Sequence, residues 1–253
     1  MLRQLIKADW PAPPHIVAFS STRMGGYSSG AFESLNLGHH VGDDLDVVAA
    51  NRSVLASALP ERTKIQWLDQ VHGTAAVRAT VTDGYLEADA CWTRQSGLAC
   101  AVLSADCLPV LLCNLSGTVV GAVHAGWRGL LNGVLESAVN AMGEDPNTML
   151  AWMGPAIGPA AFEVGPEVRS GFAHDTADIF RDELASCFTA SPQRSTHYMA
   201  DLYGLAKLRL RRLGVERVYG GGLCTYADTD RFFSYRRQGQ CGRLGSLICI
   251  KPD

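Results

Sequence analysis

The chain has 253 residues with 22 Lys and Arg against 25 Asp and Glu, a net charge of -3 at pH 7. That balance excludes a whole-molecule electrostatic grip on nucleic acid, and no Lys/Arg stripe supplies a local one. No run approaches the roughly 18 to 20 apolar residues of a membrane span, so a cytoplasmic protein with no membrane partner is expected.

The start, MLRQLIKADWPAPP, lacks the apolar stretch of a signal peptide. Ile16 to Phe19 reads as a strand leading into the Gly- and Ser-rich loop STRMGGYSSG. A helix is expected over Asp46 to Leu59, ending before Pro60. Between Gly97 and His124 three apolar runs, LACAVL, PVLLC and TVVGAV, predict adjacent buried strands. After GWRG, apolar residues from Leu130 to Met142 recur at helical spacing and Gly143 closes the helix. MLAWM reads as a buried strand broken by GPAIGP, and a helix follows from Asp201 through Arg212. ERVYGGG and SLICI read as closing strands, while residues 170 to 200 show no clear pattern. No repeat or linker is visible, so the expectation is a single α/β domain over 1–253 with ligands at the Gly-rich strand ends.

The eight cysteines do not resemble a disulfide frame, and Cys100, Cys113 and Cys249 sit inside apolar runs as small core hydrophobes. Cys107 is different. It lies in SADCLP, beside Asp106 and before a proline expected to end any regular ladder. His72 in WLDQVHG and His124 in VHAGWRG are each followed closely by glycine. Two imidazoles and a thiolate suffice as protein ligands for a catalytic zinc, leaving one position open. The same residues allow a metal-free reading, with Cys107 as nucleophile, His72 or His124 as base, and Asp106 or Asp69 orienting the imidazole. Residue types and spacing leave both chemistries open.

Seven blocks bear on that choice: SSTRMGGYSSGAFESLNLG, WLDQVHG, ADACWT, LSADCLPVLLC, VHAGWRGL, GPAIGPAAFEVG and CTYADTDRFFSYRR. Together, and in this order, they resemble the signature of the YfiH family, whose members have been called laccase-domain proteins, polyphenol oxidases, purine nucleoside phosphorylases and peptidoglycan editing factors. The resemblance runs from about residue 20 to the C-terminus. It implies a layered α/β sandwich of mixed β-sheets flanked by helices, cysteine-hydrolase-like, and a zinc held by His72, Cys107 and His124 as the catalytic cluster. It also implies phosphorolysis of inosine, adenosine and methylthioadenosine, and deamination of adenosine.

Phosphorolysis needs cations for the incoming phosphate, which arginine binds bidentately. Arg23, Arg128, Arg236 and Arg237 lie in the signature blocks, with Arg23 in STRMGG the leading candidate. Asn36 in SLNLG is a candidate for sugar or base, and Trp127 and Tyr235 for stacking on a purine. His39 and His40 are adjacent, so at most one is expected at the site. The GGG at 220 to 222 lacks the spacing of a dinucleotide fingerprint.

A multicopper laccase would need many histidines in H-x-H pairs, and this chain has seven histidines and no H-x-H. A single Cu2+ in a His2Cys site remains arithmetically open. The leading expectation is a zinc-dependent purine nucleoside phosphorylase acting on a nucleoside plus phosphate, as a monomer. The competing ones are a hydrolase removing serine from a UDP-muramoyl precursor, a copper polyphenol oxidase, and a non-enzymatic zinc protein. The last is disfavoured by the absence of a C-x2–4-C pair.

Overall fold

The computed structural model describes residues 5–80, 84–174 and 180–252. Two mixed sheets lie face to face, with helices on the outer faces. The five-stranded sheet runs in the order Ile6–Lys7, Ile16–Ser20, Leu244–Ile250, Leu98–Ser104, Lys64–Gln66. Its pairs are antiparallel except for the last. The six-stranded sheet runs Arg217–Gly220, Met149–Met153, Leu108–Asn114, Val120–Ala125, Ala90–Thr93, Ala76–Arg78. It is antiparallel in the middle and parallel at both edges.

Burial on both faces explains why these strands read as continuous apolar runs. Successive side chains alternate faces. Leu98, Cys100 and Val102 therefore enter the layer between the sheets, where they meet Leu111, Cys113, Val120 and Ala122. Ala99, Ala101 and Leu103 point the other way, toward Leu55 of helix Leu45–Ala56. On the far face of the six-stranded sheet, Leu108, Val110, Leu112 and Val123 pack under helices Trp127–Asn132, Val134–Met142 and Leu202–Arg212. Asp44 starts the first helix by accepting from the N–H groups of Asp46 and Val47, one residue earlier than expected. Among the described residues, no helix is long and apolar enough to cross a membrane.

Three local expectations need correction. The three apolar runs between Gly97 and His124 are not neighbours in one sheet. Leu98–Ser104 belongs to the five-stranded sheet, and the chain then crosses to the other sheet through Ala105, Asp106 and Cys107. Pro109 does not end a ladder. It is the second residue of Leu108–Asn114, opposite His124, and its carbonyl accepts from Gly154 N–H. The helix expected after GWRG is two helices, because Gly133 takes a left-handed φ of 97° and breaks the axis between them.

Candidate metal centre

His72, Cys107 and His124 come together although 52 positions separate the first from the last. Two of them lie on crossovers between the sheets. His72 is on the segment from Lys64–Gln66 to Ala76–Arg78, and Cys107 is on that from Leu98–Ser104 to Leu108–Asn114. His124 is near the end of Val120–Ala125, just before the helix that begins at Trp127. The backbone turns sharply at both crossovers: φ is 60° at His72 and 97° at Asp106. Such left-handed values are uncommon outside glycine and re-aim the side chains that follow.

The ligand atoms of the three residues all lie within 4.8 Å of one another, with Cys107 Sγ 3.7 Å from His72 Nε2. A tetrahedral zinc with ordinary Zn–S and Zn–N bonds spans an S···N edge of about 3.6 Å, so the spacing fits such an ion. His124 is buried, Cys107 half-buried and His72 exposed, which leaves one side of the group open. Among the described residues no fourth His, Cys, Asp or Glu joins the group. This is a cluster that can hold a metal, and its donor set suits zinc or copper better than magnesium or calcium.

Gly126 permits the arrangement. A Cβ there would stand 3.0 Å from Cys107 Sγ and 3.1 Å from His72 Cδ2. The glycine in HAGWRG thus leaves room for two members of the cluster to sit where they do.

Charge within the cluster is strongly coupled. Burial by itself raises the Cys107 thiol, but the His124 charge and hydrogen bonds from both histidines prevail and bring it to about 6. Burial likewise disfavours charged His124, and the Cys107 thiolate together with the Asp89 hydrogen bond overcomes this and raises it to about 9. Without a metal the pair is therefore a thiolate and an imidazolium near neutral pH. Cys113 and Cys249 are driven by burial to about 12 and about 11, as befits inert core thiols.

The acid that orients an imidazole is neither Asp106 nor Asp69. Asp89 does so, accepting from His124 Nδ1 at 2.8 Å. Asp106 instead accepts from Thr225 Oγ1 at 2.6 Å and from the Arg236 N–H at 2.7 Å, tying the Cys107 turn to helix Tyr235–Gln238. Asp69 lies exposed in the short strand Leu68–Asp69. The signal for Asp89 was present in ADACWT as a lone acid entering an apolar strand, since a buried carboxylate demands partners.

The cluster opens into a cavity of about 550 Å³. Its walls include Trp127, Ile157, Phe162 and Tyr235 as apolar surfaces and Arg128, Arg236 and Arg243 as cations. Gln70 also lines it, and its side-chain amide pairs with both backbone groups of Leu103. Arg128 is exposed and lies 4.5 Å over the Trp127 ring; among the described residues it has no ion pair. Arg236 donates from Nη1 to the Glu163 carbonyl. Arg243, which the motif reading missed, has one guanidinium nitrogen on the Cys241 and Gly242 carbonyls.

Other sequence candidates lie elsewhere. Arg23 does not line the cavity: it donates to the carbonyls of Glu33 and Thr229 and stands 4.9 Å over the Phe233 ring. Arg237 serves the carbonyls of Thr225, Tyr226 and Phe232. Asn36 is fully buried, accepting from the N–H groups of Gly38 and Arg243 and donating to Asp43. Of the adjacent histidines, His40 lines the cavity while His39 stacks on Tyr85 with ring centroids 4.2 Å apart. Desolvation, followed by the Arg243 charge, lowers His40 below the usual imidazole value, so it stays neutral at pH 7.

With this geometry in place, comparisons with known proteins connect it to relatives. A family model described as "Multi-copper polyphenol oxidoreductase laccase" matches residues 17–251. A purine nucleoside phosphorylase of Pseudomonas aeruginosa is 49% identical over 96% of this chain and 97% of its own. Purine nucleoside phosphorylase YfiH of Escherichia coli is 47% identical over 98% of this chain and all of its own. The crystal structure of a Neisseria meningitidis protein superposes with a TM-score of 0.91 at 45% identity, covering 99% of this chain and 100% of that one. YlmD from Geobacillus stearothermophilus superposes at 0.86 with 30% identity, covering 96% and 94%. The mixed-sheet sandwich, the matched model and these full-length relatives together place the chain in the laccase-like YfiH family.

Proposed function

We propose that this protein is a purine nucleoside phosphorylase whose active site is the His72, Cys107 and His124 cluster holding a zinc ion, with the whole chain acting as one folded unit. The observation that carries the reading is a three-ligand His/His/Cys group with an open side facing a cavity lined by aromatic rings and arginines. The names of the Pseudomonas and Escherichia relatives support the same substrate class. When bound, the ion supplies Lewis acidity at the open side of the ligand group.

The chain's own residues account for binding and orientation. A purine nucleoside fits within about 550 Å³, with Trp127 and Tyr235 offering ring faces to the base. Arg128, which lacks an ion-pair partner among the described residues, is the leading anchor for phosphate, with Arg236 and Arg243 beside it on the cavity wall. In the reaction, a phosphate oxygen forms a bond to ribose C1′ as the C1′–N9 bond breaks. The electron pair leaves on the base, which takes up a proton. Arginines at the phosphate hold the attacking group and spread its charge. Adenosine deamination and methylthioadenosine cleavage belong to the same reading as further activities of this cavity.

The experiment is to incubate metal-assayed wild type and Cys107→Ala with inosine, adenosine or methylthioadenosine, with and without phosphate, and to separate the products. Phosphate-dependent release of free base by wild type alone supports phosphorolysis at this cluster. Turnover by Cys107→Ala equal to wild type would remove the cluster from the mechanism.

A further inference from the structure

Asp89 is a carboxylate with 0% exposure, and its two oxygens accept from a metal-ligand candidate and from the turn that carries another. Oδ1 accepts from His124 Nδ1 at 2.8 Å and from the His72 backbone N–H at 3.0 Å. Oδ2 accepts from the Gly73 N–H at 2.6 Å and from the Val71 N–H at 3.3 Å. Its own carbonyl accepts from the His124 N–H at 2.7 Å.

Three successive backbone N–H groups therefore close around one anion. Successive amides in a turn of this kind form a concavity that ordinarily receives a phosphate or another external anion. Here the anion is internal. It compensates a turn that would otherwise be unfavourable, because His72 sits at a φ of 60°. Left-handed backbone at a side-chain-bearing residue is strained and persists only where the surroundings enforce it.

Oδ1, which also accepts from the His72 N–H, fixes the tautomer of His124. With Nδ1–H donated to Asp89, Nε2 is the nitrogen left to face Cys107 and the metal. Ligating histidines ordinarily have such an outer partner, which fixes both ring orientation and tautomer.

We infer that Asp89 is the positioning residue of this metal site, one buried carboxylate that aims His72 through its backbone turn and His124 through its ring. The inference rests on His72, Cys107 and His124 being the metal ligands. Asparagine is the informative replacement because it keeps the shape and has only one acceptor oxygen. If its NH2 faces His124, the imidazole must accept at Nδ1 and carry its proton on Nε2, aimed at the metal. If its NH2 faces the turn, the amides of residues 71 and 73 lose their acceptor and the His72 turn relaxes. Either orientation costs the site a ligand.

The test measures zinc affinity by chelator competition on full-length wild type and Asp89→Asn, with thermal unfolding of both in the metal-free state. The expected result is a 10–100-fold loss of affinity in Asp89→Asn with cooperative unfolding retained. In zinc-loaded wild type, nitrogen NMR of the histidine rings should show His124 protonated at Nδ1 and ligating through Nε2. That readout needs no variant and decides the matter if Asp89→Asn does not fold. Zinc affinity within about threefold of wild type in a folded Asp89→Asn, or ligation of His124 through Nδ1, would overturn the inference. Wild type that binds no zinc would instead bring down the ligand reading itself, and this inference with it.

Discussion

Cys107 and Arg128 carry the predictions that belong to single residues. In metal-free protein, alkylation of Cys107 by iodoacetamide should rise with pH through about 6, because His124 and then His72 stabilise the thiolate against the burial that opposes it. Cys113 and Cys249, held near 12 and 11, should stay unmodified at pH 7, and peptide mapping separates the sites. A midpoint near 9 for Cys107 would contradict the coupling. Arg128→Ala should raise KM for phosphate by about tenfold or more, the scale of one lost charge-assisted hydrogen bond. Arg23→Ala should lower the melting temperature and leave that KM unchanged, since its guanidinium holds the Glu33 and Thr229 carbonyls. The contrast shows what sequence reading reached at this scale. That His72, Cys107 and His124 belong together was legible from the family blocks they stand in, since residue types and spacing alone left a metal site and a metal-free Cys/His pair both open. Arg23 looked like a phosphate anchor because glycines flank it, and nothing local reveals that Thr229, 206 positions away, accepts from it.

At the scale of elements, the strands were legible and their partners were not. LACAVL, PVLLC and TVVGAV are three apolar runs with nothing in their composition to say that the first joins another sheet. The break is a turn at Asp106, whose φ of 97° is set by contacts with Thr225, Arg236 and Ile157 rather than by glycine or proline. The split after GWRG was more accessible, since Gly133 interrupts the periodic stretch. Yet a lone glycine is tolerated in many helices, and only the packing of the second segment against the sheet decides. Gly126 gives the element-level prediction. Gly126→Ala places a methyl 3.0 Å from Cys107 Sγ and 3.1 Å from His72 Cδ2, so both side chains must shift by a few tenths of an ångström. Zinc affinity should fall at least tenfold while the far-ultraviolet circular dichroism spectrum is unchanged, a combination that chelator titration checks.

For the whole molecule, the two-sheet sandwich explains why a cluster able to hold a metal forms without any two of its residues close in sequence. The two crossovers that carry His72 and Cys107 meet the end of Val120–Ala125, so the core that packs the sheets also brings the three side chains together. Continuous apolar runs between turn formers made the mixed α/β class readable and the family resemblance supplied the layered sandwich, whereas convergence of the crossovers depends on strand order, which hydrophobic pattern alone does not encode. Metal removal and return decides whether the cluster works as a metal centre. Protein stripped by a chelator should lose inosine phosphorolysis, and added zinc should restore it in proportion to occupancy, reaching full activity at one ion per chain. Cys107→Ala should neither bind the ion tightly nor regain activity. Stripped protein that releases hypoxanthine at the original rate with phosphate present would rule out a metal-dependent reaction at this cluster.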